Sequence, residues 1–376
     1  MLYLPHTLRR MSKYIHQLKQ WPDFSWDGDQ IVTPLSGLRH RQGRLLGKLE
    51  GLGFRLREEA TLDTLTQDVI KSSEIEGEKL PADQVRSSIA QRLGIDIAGE
   101  VTVSRNVEGV VEMMLDATQT YDRPLTAERL FGWHSSLFPT GRSGMHKIRS
   151  GAWRNDARGP MQVVSGAMGK ERVHYEAPEA KRISGEMSKF LSWFNANFEI
   201  DAVLKAAVAH LWFVTIHPFE DGNGRIARAI ADMQLARADG TRQRFYSMSA
   251  TIQRERNLYY EILEKTQEGN LDITRWILWF LECLDRAIAS SGENLSGVIN
   301  KAKFWETHQA VSLNGRQRKI LNKLIDGFEG KLTSSKWAKI ADCSPDTALR
   351  DIQDLIEKGI LEKEEGGGRS TSYKIK

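Results

Sequence analysis

Twelve consecutive residues, HPFEDGNGRIAR from His217 to Arg228, bring together a histidine, an acid, two glycines around an asparagine, and two arginines. D-G-N-G-R at the start of a helix is an anion cradle. Gly222 and Gly224 permit backbone conformations closed to other residues and let a phosphate approach the amides. The helix beginning near Asn223 adds its positive end. Arg225 and Arg228, three apart, lie on one side of the first turns, within reach of the outer phosphates of a nucleotide. Asp221 is placed to hold a magnesium ion bridging two phosphates, because magnesium usually takes one or two carboxylates plus phosphate oxygens. His217 closes the preceding helix and, with a pKa near neutrality, is the natural general base for a hydroxyl attacking phosphorus. Nucleotide-dependent transfer onto a hydroxyl follows. The plain alternative makes Gly-Asn-Gly a tight turn, His217 a satisfied core residue and the arginines a solvated face; so many matched requirements in one short stretch favour the chemistry.

The elements that must position these residues are mostly helical. DAVLKAAVAHLWFVTI, just before the motif, is apolar on nearly every face and reads as the central helix of a bundle. RIARAIADMQLARA restarts a helix after it. Helical spacing also runs through LSGLRHRQGRLLGKLEGLGF and EEATLDTLTQDVIKSSEIEGE, the second closed by Gly77 and Pro81, and at about 82–93, 105–120, 126–137, 181–197, 255–267 and 272–290. Thr126 is the expected N-cap of its helix. MQVV and RVHY, separated by SGAMGKE, read as a two-stranded hairpin. Residues 1–34 show no period and read as an irregular cap. In the last 64 residues three short helices precede a strand, a glycine-rich turn and a second strand, the order of a winged helix-turn-helix.

Composition sets the outer limits. The 376 residues are too many for one ordinary core, and 27% charged with 40% hydrophobic residues describes a globular protein. No window approaches a membrane span and the N-terminus has no signal-peptide pattern, so a cytoplasmic location is expected. Cys283 and Cys343 are too few and too far apart for a disulfide framework or a zinc site. The net charge of +4 makes no case for nucleic acid by itself. His210, His134 and His146 read as structural, and Trp276 and Trp279 as helix packing.

The run H-x-F-x-[D/E]-G-N-G-R-x-x-R resembles the signature of the Fic family, with His217, Phe219, Asp221, Gly222, Asn223, Gly224, Arg225 and Arg228 filling every fixed position. The resemblance implies a mainly α Fic-type bundle with a β-hairpin flap and adenylyl transfer, in which a protein Ser, Thr or Tyr hydroxyl attacks the α-phosphate of ATP. His217 would be the base and Asp221 the Mg2+ ligand. Asn223 and the glycine amides would cradle the α-phosphate, the arginines would grip the leaving group, and Phe219 would pack beneath the loop. An intact glycine loop favours AMP transfer over the kinase-like use of some relatives, while a phosphocholine-transferring relative shares the motif.

Upstream, KSSEIEGE is similar to the family's inhibitory pattern [S/T]-x-x-x-E-[G/N]: Ser72 and Glu76 share a helix face and Gly77 can end the helix. By resemblance Glu76 would take Arg228 from the γ-phosphate. Met161, Gln162, Val163 and Val164 fall where the family's flap holds a target segment. Asn257 and Tyr260, in RERNLYYEIL, are candidates for the nucleoside pocket, with Tyr259 the substitute for Tyr260 if the helix is rotated. The expected division is an N-terminal cap with inhibitory helix (1–100), a catalytic core (101–292), a linker (293–312) and a winged helix (313–376). Thr347, Arg350 and Arg369 would serve DNA contact, against which stand 13 Lys or Arg to 10 Asp or Glu in residues 316–376 and Asp346, Asp351 and Asp354 facing or flanking a phosphate backbone. Expected partners are ATP and an unknown protein target; a homodimer and DNA stay open, and no membrane is expected. Two other readings remain: a nucleotide-responsive DNA-binding regulator, and an enzyme that removes AMP, with Glu76 positioning a water.

Overall fold

The computed structural model describes residues 13–96, 101–157, 159–166, 170, 172–197, 199–325, 328, 330–364 and 371–376, with backbone alone at 293–296, 298 and 302. Arg369 and the glycine-rich turn around it lie outside the described residues. The chain divides into two compact units, Met1–Ser291 and Gly292–Lys376.

In the first unit the helices run α1 (Gly28–Glu50), α2 (Phe54–Ile75), α3 (Ala82–Leu93), α4 (Arg105–Gln119) and α5 (Ala127–Leu137). Short strands β1 (Arg142–Ser143) and β2 (His146–Lys147) pair as one hairpin, β3 (Gln162–Ser165) and β4 (Arg172–Glu176) as another. Then come α6 (Ala180–Asn195), α7 (Ala202–Ile216), α8 (Asn223–Asp239), α9 (Met248–Arg254) and α10 (Arg256–Gln267), and α11 (Thr274–Thr307) leads on. Every residue of α7 from Val203 to Ile216 is buried, as its unbroken apolar run requires. α8 packs along α7 and against α4, while α2 packs on α9, α3 and α8. Thr126 caps α5 by accepting from the amide of Arg129.

Three expectations need correction. Residues up to 34 are not irregular throughout: α1 starts at Gly28, where Asp27 caps it by accepting from the amides of Asp29 and Gln30. Pro34 stands inside that helix and costs it a backbone bond, but a buried stripe of Ile31, Leu38, Leu45 and Leu49 holds the turns on either side. The stretch 293–312, expected as a linker, is helical for most of its length, since α11 runs unbroken to Thr307 and only 308–314 is non-helical. The stretch has no proline, and Phe304 and Trp305 pack onto the core of the second unit. α9 and the β1–β2 hairpin, too short to carry a period, went unforeseen.

The second unit consists of α12 (Gly315–Ile325), α13 (Ser334–Ala341), α14 (Pro345–Glu357) and an antiparallel pair β5 (Leu361–Lys363) and β6 (Tyr373–Ile375) around Leu321, Trp337, Ile352 and Leu355. Here Asp351 does not face outward. It is buried and held by the Arg316 fork at 2.7 and 3.0 Å and by Asn314 at 2.8 Å, while Asp354 accepts from Gln317. Thr347 is half-buried and Arg350 exposed.

Candidate active site

α7 ends because His217 turns left-handed, at φ 52°, and its amide closes the helix onto the Phe213 carbonyl. That turn swings the imidazole over the following loop. Its Nδ1 lies 3.2 Å from the Val214 carbonyl oxygen, which can only accept, so Nδ1 carries the proton and Nε2 presents a lone pair. Burial pushes the imidazole down to about 4; the Val214 bond opposes the shift and the Arg154 charge adds to it. The ring is therefore neutral, the form a general base needs.

Arg154, buried and not foreseen, holds this turn from behind. Its Nε donates to the His217 carbonyl at 2.8 Å, its backbone amide donates to the Pro218 carbonyl at 2.9 Å, and its guanidinium also reaches Asp156 and the Pro178 carbonyl. Tyr175 of β4 does the same from the flap side, donating to the Thr215 carbonyl at 2.6 Å.

The loop itself is stapled. Phe219 is fully buried, stacked on His134 with ring centroids 4.2 Å apart and flanked by Trp153. The Asn223 side chain bonds both polar groups of the Phe219 backbone, accepting from its amide at 3.0 Å and donating to its carbonyl at 2.8 Å. What Asn223 offers an anion is thus its amide at the first turn of α8, its side chain being spent on the loop. Gly222 takes φ 78°, and a Cβ there would lie 2.9 Å from the Phe138 ring. Asp221 accepts from the Gly222 amide and from the Ser143 hydroxyl of β1, and lines an open pocket with Arg149, Asn155 and Met161. Asp221, half-buried beside an amide-rich turn and next to Glu220 in the same pocket, fits a magnesium ion that arrives on its phosphates. No cluster of three or more metal-ligating side chains exists among the described residues.

Both arginines are nearly buried, and both are occupied. Arg228 donates from Nε to the Ser72 hydroxyl at 2.9 Å and from Nη2 to the Ser72 carbonyl and Glu76 Oε1, each at 2.8 Å. Burial alone would lower its guanidinium, but Glu76, Tyr259 and Tyr260 beside it more than offset this. Its Nη1 is buried with no hydrogen-bond partner among the described residues. Glu76 is the C-cap of α2, and beyond it Gly77 turns at φ 85° while the Glu78 amide bonds back to the Ser73 carbonyl. Glu78 thereby meets Arg225 at 2.8 Å. Glu76 lies directly over Gly224, where a Cβ would run into its Oε1. The end of α2 is thus seated on the cradle.

α10 supplies another wall. Tyr259 turns into the core, its hydroxyl 3.0 Å from His210 Nε2, and so does not replace Tyr260. Tyr260 is half-buried, close enough to feel the charges of Glu76 and Arg228, and its hydroxyl is 3.5 Å from the Ile75 carbonyl, to which Arg256 also donates. Asn257 is exposed and not drawn to this cluster. Val163 pairs with Tyr175 and Val164 with Val173, with a bulge between, and Gln162 bonds Glu176; Ala177 bonds the Met161 carbonyl. β4 is anchored to α10 by Arg172 and His174, both on Glu264. Of the residues sequence reasoning missed, Glu78 stood in plain view two positions after Glu76, whereas Arg154, Ser143 and Tyr175 carried no local signal.

Comparison with known proteins bears on this geometry. Residues 124–235 match the Fic/DOC family, and residues 14–95 match a domain of unknown function, DUF4172. The chain is 36% identical over 104 residues to protein adenylyltransferase Fic of Culex quinquefasciatus, covering 27% of this chain and 19% of that protein. It is 27% identical over 236 residues to the protein of the same name in Aedes aegypti, covering 61% and 42%. The chain thus spans well under half the length of these relatives. The fold is shared with a Fic family protein from Desulfovibrio desulfuricans (TM-score 0.54, 18% identity, 94% of this chain and 97% of that one) and with Fic-1 of C. elegans (TM-score 0.50, 19%, 72% and 74%).

Proposed function

From the premise that this chain is a Fic family protein, we propose that it is a protein adenylyltransferase held off by its own α2. The observation that carries the reading is the neutral His217, with Nε2 available above an amide-rich helix start, beside two arginines already clasped by the end of α2. A target Ser, Thr or Tyr hydroxyl gives its proton to His217 Nε2 as its oxygen attacks the α-phosphorus of ATP. The bond from that phosphorus to the bridging oxygen breaks, and pyrophosphate leaves. The amides of Asn223 and Gly224 and the positive end of α8 stabilise the charge that develops on the α-phosphoryl oxygens. Asp221 would hold Mg2+, which would neutralise the phosphates. Arg225 and Arg228 would hold the outer phosphates, and Tyr260 the nucleoside. The edge of β3, from Met161 to Val164, would align the target chain by strand addition.

Glu76 takes the guanidinium that a γ-phosphate would need, so ATP bound to this form sits out of line for attack. Release of the α2 end is then the condition for transfer. ATP labelled at the α or the γ position tests the reaction type. Glu76→Gly protein should pass on the α label and not the γ label, and Glu76→Gly/His217→Ala should pass on neither. Transfer of the γ label would instead make the protein a kinase and overturn the proposal.

A further inference from the structure

The segment that follows α2 carries two acids, and each meets a different arginine of the cradle. We propose that Glu78 is a second lock: it withholds Arg225 from the phosphates independently of Glu76, which withholds Arg228. The inference rests on the reading of the α2 end just given.

Three observations support it. The Glu78–Arg225 pair is as close as the Glu76–Arg228 pair, 2.8 Å in each case, the distance at which a phosphate oxygen would sit. The Arg225 side chain is only 7% exposed against 37% for Glu78, so the acid reaches inward and caps the arginine on its open side. Phe138 covers another face of the guanidinium, 5.1 Å from its ring centre, and Nε is buried with no hydrogen-bond partner among the described residues. On such an enclosed arginine Glu78 occupies Nη1, a donor that an anion would need.

Independence follows from the backbone. Gly77 separates the two acids with its left-handed turn, and the Glu78 amide is fixed on the Ser73 carbonyl at 3.0 Å. Removing the Glu76 carboxylate leaves that bond and the Glu78–Arg225 pair in place. Glu76→Gly is therefore only half unlocked. Glu78 touches neither nucleotide nor target and acts through Arg225, as a positioning residue.

The test uses the full chain with Glu78→Gln, Arg225→Ala and the double variant, each in wild-type and Glu76→Gly backgrounds. Binding of MgATP is measured by calorimetry, and AMP transfer by kcat and KM for ATP. Glu78→Gln, partly exposed and nearly isosteric, should tighten MgATP binding about three- to tenfold. In the Glu76→Gly background it should lower KM for ATP by a similar factor with kcat little changed. In Arg225→Ala protein it should do nothing, which a merely structural role of Glu78 would not reproduce. Unchanged or weaker binding in Glu78→Gln, or an effect that survives Arg225→Ala, would overturn the inference. If Glu76→Gly transfers no AMP, the adenylyl transfer reading fails while the binding measurements still decide the role of Glu78.

Discussion

His217 is the residue whose chemistry the fold alters most. As a free side chain it would titrate near 6.5, yet burial at the end of α7 brings it to about 4. A base is lost when it is protonated, so the acid limb of kcat/KM for an unlocked enzyme such as Glu76→Gly should inflect near pH 4 to 5. A limb near 6.5 would show an imidazole less enclosed than this one. Arg154 gives a second prediction at this scale. It grips the carbonyl of His217 and bonds that of Pro218, its other donors going to Asp156 and the Pro178 carbonyl. In the Glu76→Gly background, Arg154→Ala should cut kcat roughly 10- to 100-fold through misplacement of the base, with MgATP binding changed less than threefold on the same order-of-magnitude reasoning. His217, Asp221 and the two glycines announced themselves in the sequence, because spacing within one loop survives folding unchanged. Arg154 could not, since the His217 carbonyl it grips stands 63 residues away and backbone carbonyls leave no mark in a sequence.

At the scale of elements, the account turns on how closely the end of α2 approaches the first turn of α8. Gly224 is what allows that approach. It lies in a helix, where alanine is tolerated, but a methyl group there would collide with Glu76. Gly224→Ala should therefore break the Glu76–Arg228 pair, seen as increased hydrogen exchange at residues 72–78, and still give no gain in transfer, because the same methyl obstructs the phosphate. A Gly224→Ala enzyme as active as Glu76→Gly would contradict this. The long elements were legible from periodicity: α7 by its unbroken apolar run, α2 by its close at Gly77 and Pro81. The start of α1 was not, because Pro34 reads as a breaker and a cap at Asp27 outweighs it. The continuation of α11 was not either, for its last turns owe their helicity to Phe304 and Trp305 meeting a core that lies further along the chain. The β3–β4 hairpin was legible in its strands, whereas its attachment to α10 through Glu264 is a contact some 90 residues distant.

For the molecule as a whole, the buried histidines set a pH dependence of stability. His16, His134 and His217 are brought to about 4 and His210 to about 3, each chiefly by burial. Their unfolded forms bind protons from about pH 6.5 downward while the folded forms do not, so stability falls as pH drops through that value, by up to about 1.4 kcal/mol per pH unit per histidine. Asp232 and Asp239, raised by burial, bind protons in the folded state and oppose this, two groups against four. The Tm should accordingly decline between pH 6.5 and 5; a Tm that holds level or rises there would refute the burial of these rings. The division into two units was partly legible from the change of texture before residue 313, but Asp351 shows what such a reading misses: an acid on a helix looks solvent-facing until Arg316 is found folded against it. The central claim is that α2 holds the arginines that ATP needs. Its most direct test is the initial rate of AMP incorporation from ATP by wild type and by Glu76→Gly, with Mg2+ and a cell lysate as the source of target. The account predicts a rise of about tenfold or more, the scale of a lost charge-paired contact. Equal rates, with both proteins folded and binding ATP, would contradict it.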